Sequence, residues 1–205
     1  MATGRSDPLR RERIIAAALD LIAEEGVAGI SHRKTATRAG VPLGSMTYHF
    51  DGMDALLREA FSRFIDHMDA VFGAHLAGAA DRDGARAAVV DLVHATSEGA
   101  RRDLVLTQEL YTLAARRPAY RELTQEWMRR SRVHLERHFD PETARRLDAL
   151  IEGLTLHRAL ASEPHDRALT AGAVARITSS APGARGGATG DAGDDGGPCP
   201  GPRPA

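Results

Sequence analysis

Gly26, Gly40 and Pro42 cut the first fifty residues into three helical pieces, the last two too short to be stable alone. Such pieces fold only by packing on one another, so the segment has to be a compact module. Ile14, Ile15, Ala18, Leu21 and Ile22 recur at helical spacing up to Gly26. Asp7 and Pro8 read as an N-cap followed by a proline in the first turn. Ser31 is placed to cap a second helix that ends at Ala39, with Gly40 as its left-handed stop. Pro42 opens a third piece, to about His49. Asp51 then caps a long fourth helix, with Asp54 three residues on in the manner of a capping box.

The helical pattern continues, with segments expected near 85–97, 103–116, 119–138, 141–162 and 167–178. Alternating β-branched runs are absent. The expected fold is therefore all-α, about nine helices, divided into a helix-turn-helix unit (1–50), a larger helical domain (51–178) and a tail (179–205). Residues 181–205 hold eight Gly and five Pro and no large apolar residue, a composition expected to stay disordered.

The formal net charge is −1, so any affinity for a polyanion has to be local. Two short helices around a tight turn form a helix-turn-helix, whose second member can enter a major groove. On the expected outer face, Leu43, Gly44, Ser45, Thr47, Tyr48 and His49 offer close backbone approach, hydroxyls and an imidazole. Ser31, Arg33, Lys34 and Arg38 flank them, the cations suited to phosphate and the recognition helix to base edges. The same residues would also suit a solvated basic face on an ordinary helical corner.

Residues 10–57 resemble the DNA-binding domain of the TetR family of bacterial transcriptional regulators. The resemblance rests on "RERIIAAALDLIAEEG", "SHRKTATRAGVPLGSMTYHF" and "DGMDALLREAF" at the family's intervals. Two positions depart from the family pattern: Thr47 stands where Tyr is usual, and Met53 where Lys is usual. The resemblance implies that the remaining helices form a ligand-binding and dimerisation domain, and that the last two helices pair with those of a second copy. Expected partners are double-stranded operator DNA, a small-molecule effector and a second identical subunit.

Apolar stripes on the last two helices fit that expectation: Leu147, Leu150, Ile151 and Leu154 on one, Leu169, Ala173, Val174 and Ile177 on the other. For half of them internal core is the favoured reading. For an effector pocket among helices four to seven, the candidate lining is Phe64, Met68, Phe72, His94, Gln108, Tyr111, Trp127, Met128 and His134, of which Phe64, Met68, Phe72 and Met128 also fit plain core. His134 and His138 stand four apart, a spacing that can hold a metal, but no third ligand is in view, so no metal and no cofactor are expected. No phosphate loop or nucleophile motif marks an enzyme. The polar N-terminus and the lack of a membrane-length apolar run make the chain read as cytoplasmic. The rival reading is a helical small-molecule or metal-binding protein, or an enzyme, without DNA binding.

Overall fold

The computed structural model describes residues 9–96 and 99–179; the expected Asp7–Pro8 cap and the tail beyond Ser179 lie outside the described residues. Among those residues there are nine α-helices and no strand. Helix α1 is Arg10–Glu25, and α2, His32–Ala39, follows a short 3-10 turn at Val27–Gly29. The Ser31 hydroxyl caps α2 by accepting from Lys34 N–H at 3.2 Å. Gly40 closes the helix at φ 63°, a conformation that a side chain would strain. Val41 N–H then donates back to Ala36 O at 3.0 Å, which fixes the turn. Helix α3 is Gly44–His49, starting two residues later than Pro42 suggests. The gap is a tight turn in which Ser45 N–H donates to Pro42 O at 2.9 Å.

Helix α4 spans Gly52–Ala77, α5 Arg82–His94, α6 Ala100–Arg116, α7 Pro118–Leu135, α8 Pro141–Leu160 and α9 Arg167–Ser179. Asp81 caps α5 through Gly84 N–H, and Asp140 caps α8 through Glu142 and Thr143 N–H. The expected box at α4 does not form, because Asp51 makes no side-chain cap bond. Asp54 is drawn to α7 instead, accepting from the Tyr120 hydroxyl at 2.8 Å and from Arg117 at 3.2 Å. A buried phenol offers that carboxylate a better-defined donor than the exposed helix start.

Two apolar cores hold the helices together. The first joins Ile14, Ile22, Met46 and Phe50 of the N-terminal helices to Leu56, Phe61 and Phe64 of α4 and to Leu106 and Leu110 of α6. It runs straight across residue 50, so the short helices are stabilised by the body on which they sit. Leaving any one of these side chains in water would cost about 1.5–3 kcal/mol. The second core packs Phe72 and Leu76 of α4, Val89 and Val93 of α5, Leu135 of α7, Leu147 of α8 and Val174 of α9. No helix among the described residues is long and apolar enough to cross a membrane.

Candidate nucleic-acid interface and ligand cavity

Helix α3 is pinned from below and open above. Met46 is fully buried, and Val41 and Phe50 bracket it in the first core. On the opposite side Tyr48 is 80% exposed and Leu43 54% exposed, with Gly44 and Thr47 also at the surface. A Cβ placed on Gly44 would meet nothing within 4 Å, and Gly44 has no positive φ. The fold therefore does not require glycine there; only a surface brought against α3 from outside would. Thr47 Oγ1 donates to Gly44 O at 3.2 Å. His49 is half-buried, its ring edge-on to Tyr48 at 4.9 Å.

Ser45 corrects the sequence reading. It is 8% exposed and faces inward, beside fully buried Met46 and one helical turn before half-buried His49, on the packed side of α3. Its small side chain suits the close approach of α2 and α3 there.

The flanking cations differ in how free they are. Arg33 is exposed and has no ion-pair or hydrogen-bond partner among the described residues. Lys34 is tied to the Glu25 carboxylate and to Gly29 O at 3.0 Å. Arg38 makes a bidentate pair with Glu24, at 2.8 and 2.6 Å; its guanidinium holds the Glu24 carboxyl below its usual range. Ser31 is exposed, but its oxygen is engaged in the α2 cap. Met53, in the position where the family pattern has Lys, packs against the first core.

A cavity of about 230 Å³ lies between α4, α6, α7 and α8. Six of the nine expected residues line it: Met68, Phe72, Gln108, Tyr111, Trp127 and Met128. Phe64 does not. It is 1% exposed in the first core and stands behind the cavity wall, edge-on to Trp127 at 5.8 Å. His94 does not either; its Nε2 meets Thr170 Oγ1 at 2.9 Å, linking α5 to α9, and burial pushes its pKa down. His134 turns toward α4, where Nε2 meets Asp69 at 3.0 Å and the ring lies over Gly73. A Cβ at Gly73 would come within 2.7 Å of that ring, so the glycine makes the room. No cluster of three or more His, Cys, Asp or Glu able to hold a metal occurs among the described residues.

The wall missed in the sequence is α8, which contributes Asp148, Ile151, Glu152, Thr155 and Arg158. Burial pushes the Asp148 carboxyl up to about 6, with Glu152 adding to the rise. Asp103, on α6, is also raised by burial. The Tyr111 hydroxyl donates to Glu152 at 2.9 Å; burial and that carboxylate push the phenol well above its ordinary pKa, so it remains a donor. Tyr111 and Trp127 lie nearly parallel, at 12° with centroids 6.1 Å apart.

The stripes on the last two helices divide. Leu147, Ile151 and Val174 are buried inside this chain, at 0%, 7% and 1% exposure, since the α8 face they share closes the second core and the cavity. Leu150, Leu154 and Ile177 are half-buried at the edge of that core, Ala173 is half-buried, and Leu169 is exposed. Leu160, which the pattern did not single out, is exposed as well.

Comparison with known proteins agrees with both halves of this architecture. Residues 14–60 match the family described as bacterial regulatory proteins, tetR family, and residues 80–180 match the tetracyclin repressor-like C-terminal domain. The chain is 30% identical over 168 residues to the HTH-type transcriptional regulator BetI 1 of Chromohalobacter salexigens, covering 78% of this chain and 83% of that one. Among solved structures it is similar to SCO7518 of Streptomyces coelicolor A3(2), with 76% identity, a TM-score of 0.81, and coverage of 84% and 100% of the two chains. It is also similar to the multidrug binding protein EbrR complexed with ethidium, with 36% identity, a TM-score of 0.71, and coverage of 83% and 99%. A reading head open on one side, a separate ligand-sized cavity and these matches lead to one conclusion: the chain belongs to the TetR family of bacterial regulatory proteins and is a DNA-binding transcriptional regulator.

Proposed function

We propose that the protein is a homodimeric repressor that leaves a palindromic operator when a small molecule fills the cavity. One observation carries the release step: α6 serves the cavity and the reading head at once. Asp103, Thr107 and Tyr111 of α6 face the cavity. From the same helix Glu109 accepts from Val27 N–H at 3.0 Å and fills the space over Gly26, while Arg102 pairs with Asp20 of α1 at 2.9 Å. A ligand that displaces α6 thereby moves α1, and with it the α2–α3 unit packed on α1. Ligand-bound EbrR supports a small-molecule role for a cavity in this fold.

Pairing is supported by the apolar side chains at the outer edge of α8 and α9, Leu160 and Leu169, each more than two-thirds exposed. Gly153 and Gly172 leave open space on the same two helices. Two subunits present two α3 helices to half-sites about 34–36 Å apart, one helical turn of DNA. A head of this size contacts only a small DNA surface alone, so pairing supplies affinity as well as register.

The test is titration of the purified protein on the DNA upstream of its own gene at two salt concentrations, with sizing of the free and bound species. Specific retention above competitor DNA and two subunits per site are expected. Equal affinity for competitor DNA would remove the operator, and a single subunit per site would remove the palindrome.

A further inference from the structure

We propose that the ligand taken by this cavity is a flat aromatic cation, its rings against Tyr111 and Trp127 and its charge facing Asp148. The inference rests on the effector reading above and names the effector's chemical class. Tyr111 and Trp127 are stacked nearly parallel in the cavity wall, and the faces of such rings attract cations. The hydrogen bond from the Tyr111 hydroxyl to Glu152 leaves that ring richer in electrons. Much of the remaining wall is apolar, including Met68, Phe72 and Leu156, which suits a ligand with little polar surface.

The charges around the cavity are unequal in how well they are answered. Asp103 has Arg102 at 3.9 Å and also feels His67. Arg158 donates to Ala95 O at 2.7 Å and stands ten residues along α8 from Asp148, about 15 Å away by helical rise. His75 is engaged with Val71 O at 2.9 Å. Glu152, exposed at the rim, has only the Tyr111 hydroxyl. Asp148 has no hydrogen-bond or ion-pair partner among the described residues; Arg132 acts on it only through space. A carboxylate drawn out of water and left unpaired is costly, so the aromatic end of the cavity is short of one positive charge. A neutral ligand would leave that deficit, and an anion would deepen it.

Trp127 is the chain's single tryptophan, so its emission reads the site directly in the full-length protein. Three probes of one ring shape are titrated at about pH 8: N-methylacridinium, uncharged acridine and acridine-9-carboxylate. The cation should bind at least about tenfold tighter than acridine, and the carboxylate weakest. Asp148→Asn should abolish that preference, bringing the cation and acridine to similar affinities, and Glu152→Gln should reduce it less. Asp148→Ser provides a second variant should the amide fail to fold, and the three-probe comparison on the unmodified chain needs no variant. A cation no tighter than acridine, or a preference that survives at Asp148→Asn, overturns the proposal. Release of upstream DNA is scored separately. A neutral compound that releases it sinks the cation and keeps the switch; a bound cation that leaves DNA in place sinks the switch and keeps the cation.

Discussion

Replacing Asp148 by Asn should stabilise the free protein, and the amount should depend on pH in a defined direction. Burial raises this carboxyl from an ordinary 3.8 to about 6. In full that rise corresponds to about 3 kcal/mol at neutral pH; partial hydration of the cavity lowers the expected figure to about 1–3 kcal/mol. The sign follows from proton binding. Between about pH 4 and 6 the folded state holds the proton that the unfolded state has lost, so stability falls as pH rises through that window and is level above it. Below pH 4 both states are protonated and the cost disappears. The Asn variant has no such group at this position. Urea unfolding of both proteins, at fixed concentration because subunit association also contributes, should show nearly equal midpoints at about pH 4. A variant advantage should open by about pH 7. A difference that is flat with pH, or a variant weaker than the parent at neutral pH, would refute the claim that this carboxylate lies unpaired in a poorly hydrated wall. The same substitution is expected to gain stability and to lose the cation, the exchange typical of a site held in readiness for its ligand.

Gly44→Ala should leave the unfolding midpoint unchanged or raise it by up to about 1 kcal/mol, since a methyl there meets nothing and alanine favours helix. Operator affinity should nevertheless drop at least about tenfold; undiminished binding in a gel-shift titration would mean that the α3 backbone does not approach the bases. Arg33→Ala should lower the slope of log affinity against log salt by about one, because Arg33 has no internal partner to lose. An unchanged slope would remove Arg33 from the phosphate contacts. Glu109→Ala should cost about 1 kcal/mol of stability through the lost bond to Val27 N–H. Effector affinity, read by Trp127 emission, should stay while the effector's grip on DNA release weakens; release as strong as in the parent would mean that α6 couples to the head by another route.

What could be read from the sequence follows the reach of each signal. Ser31 capping α2 and Gly40 ending it are decided within four residues, so both were legible and both are observed. The inward face of α1 was legible for the same reason, since a run of apolar residues at helical spacing has to turn inward. Which inward surface it meets is a tertiary matter, and there the pattern was silent. Phe64 and Phe72 stand eight residues apart on one stripe of α4, yet Phe64 fills the first core while Phe72 reaches the cavity. His94 and His134 sit in segments that looked like pocket wall, but Thr170 and Asp69, both more than sixty residues away in sequence, turn them aside. Asp54 was legible as an acid near a helix start and misleading for that reason, because Tyr120 is a stronger local partner. The acids of α8 were hidden by a sound prior, that Asp and Glu on a helix face water. Asp148 and Glu152 are four residues apart and would stabilise nothing as a surface pair of like charge. In the fold they stand where α8 crosses the open side of α6 and α7, and their mutual repulsion is retained at a position where a ligand can relieve it. A like-charge pair at that spacing, on the apolar side of a helix that otherwise closes a core, was the one trace the sequence held of this wall.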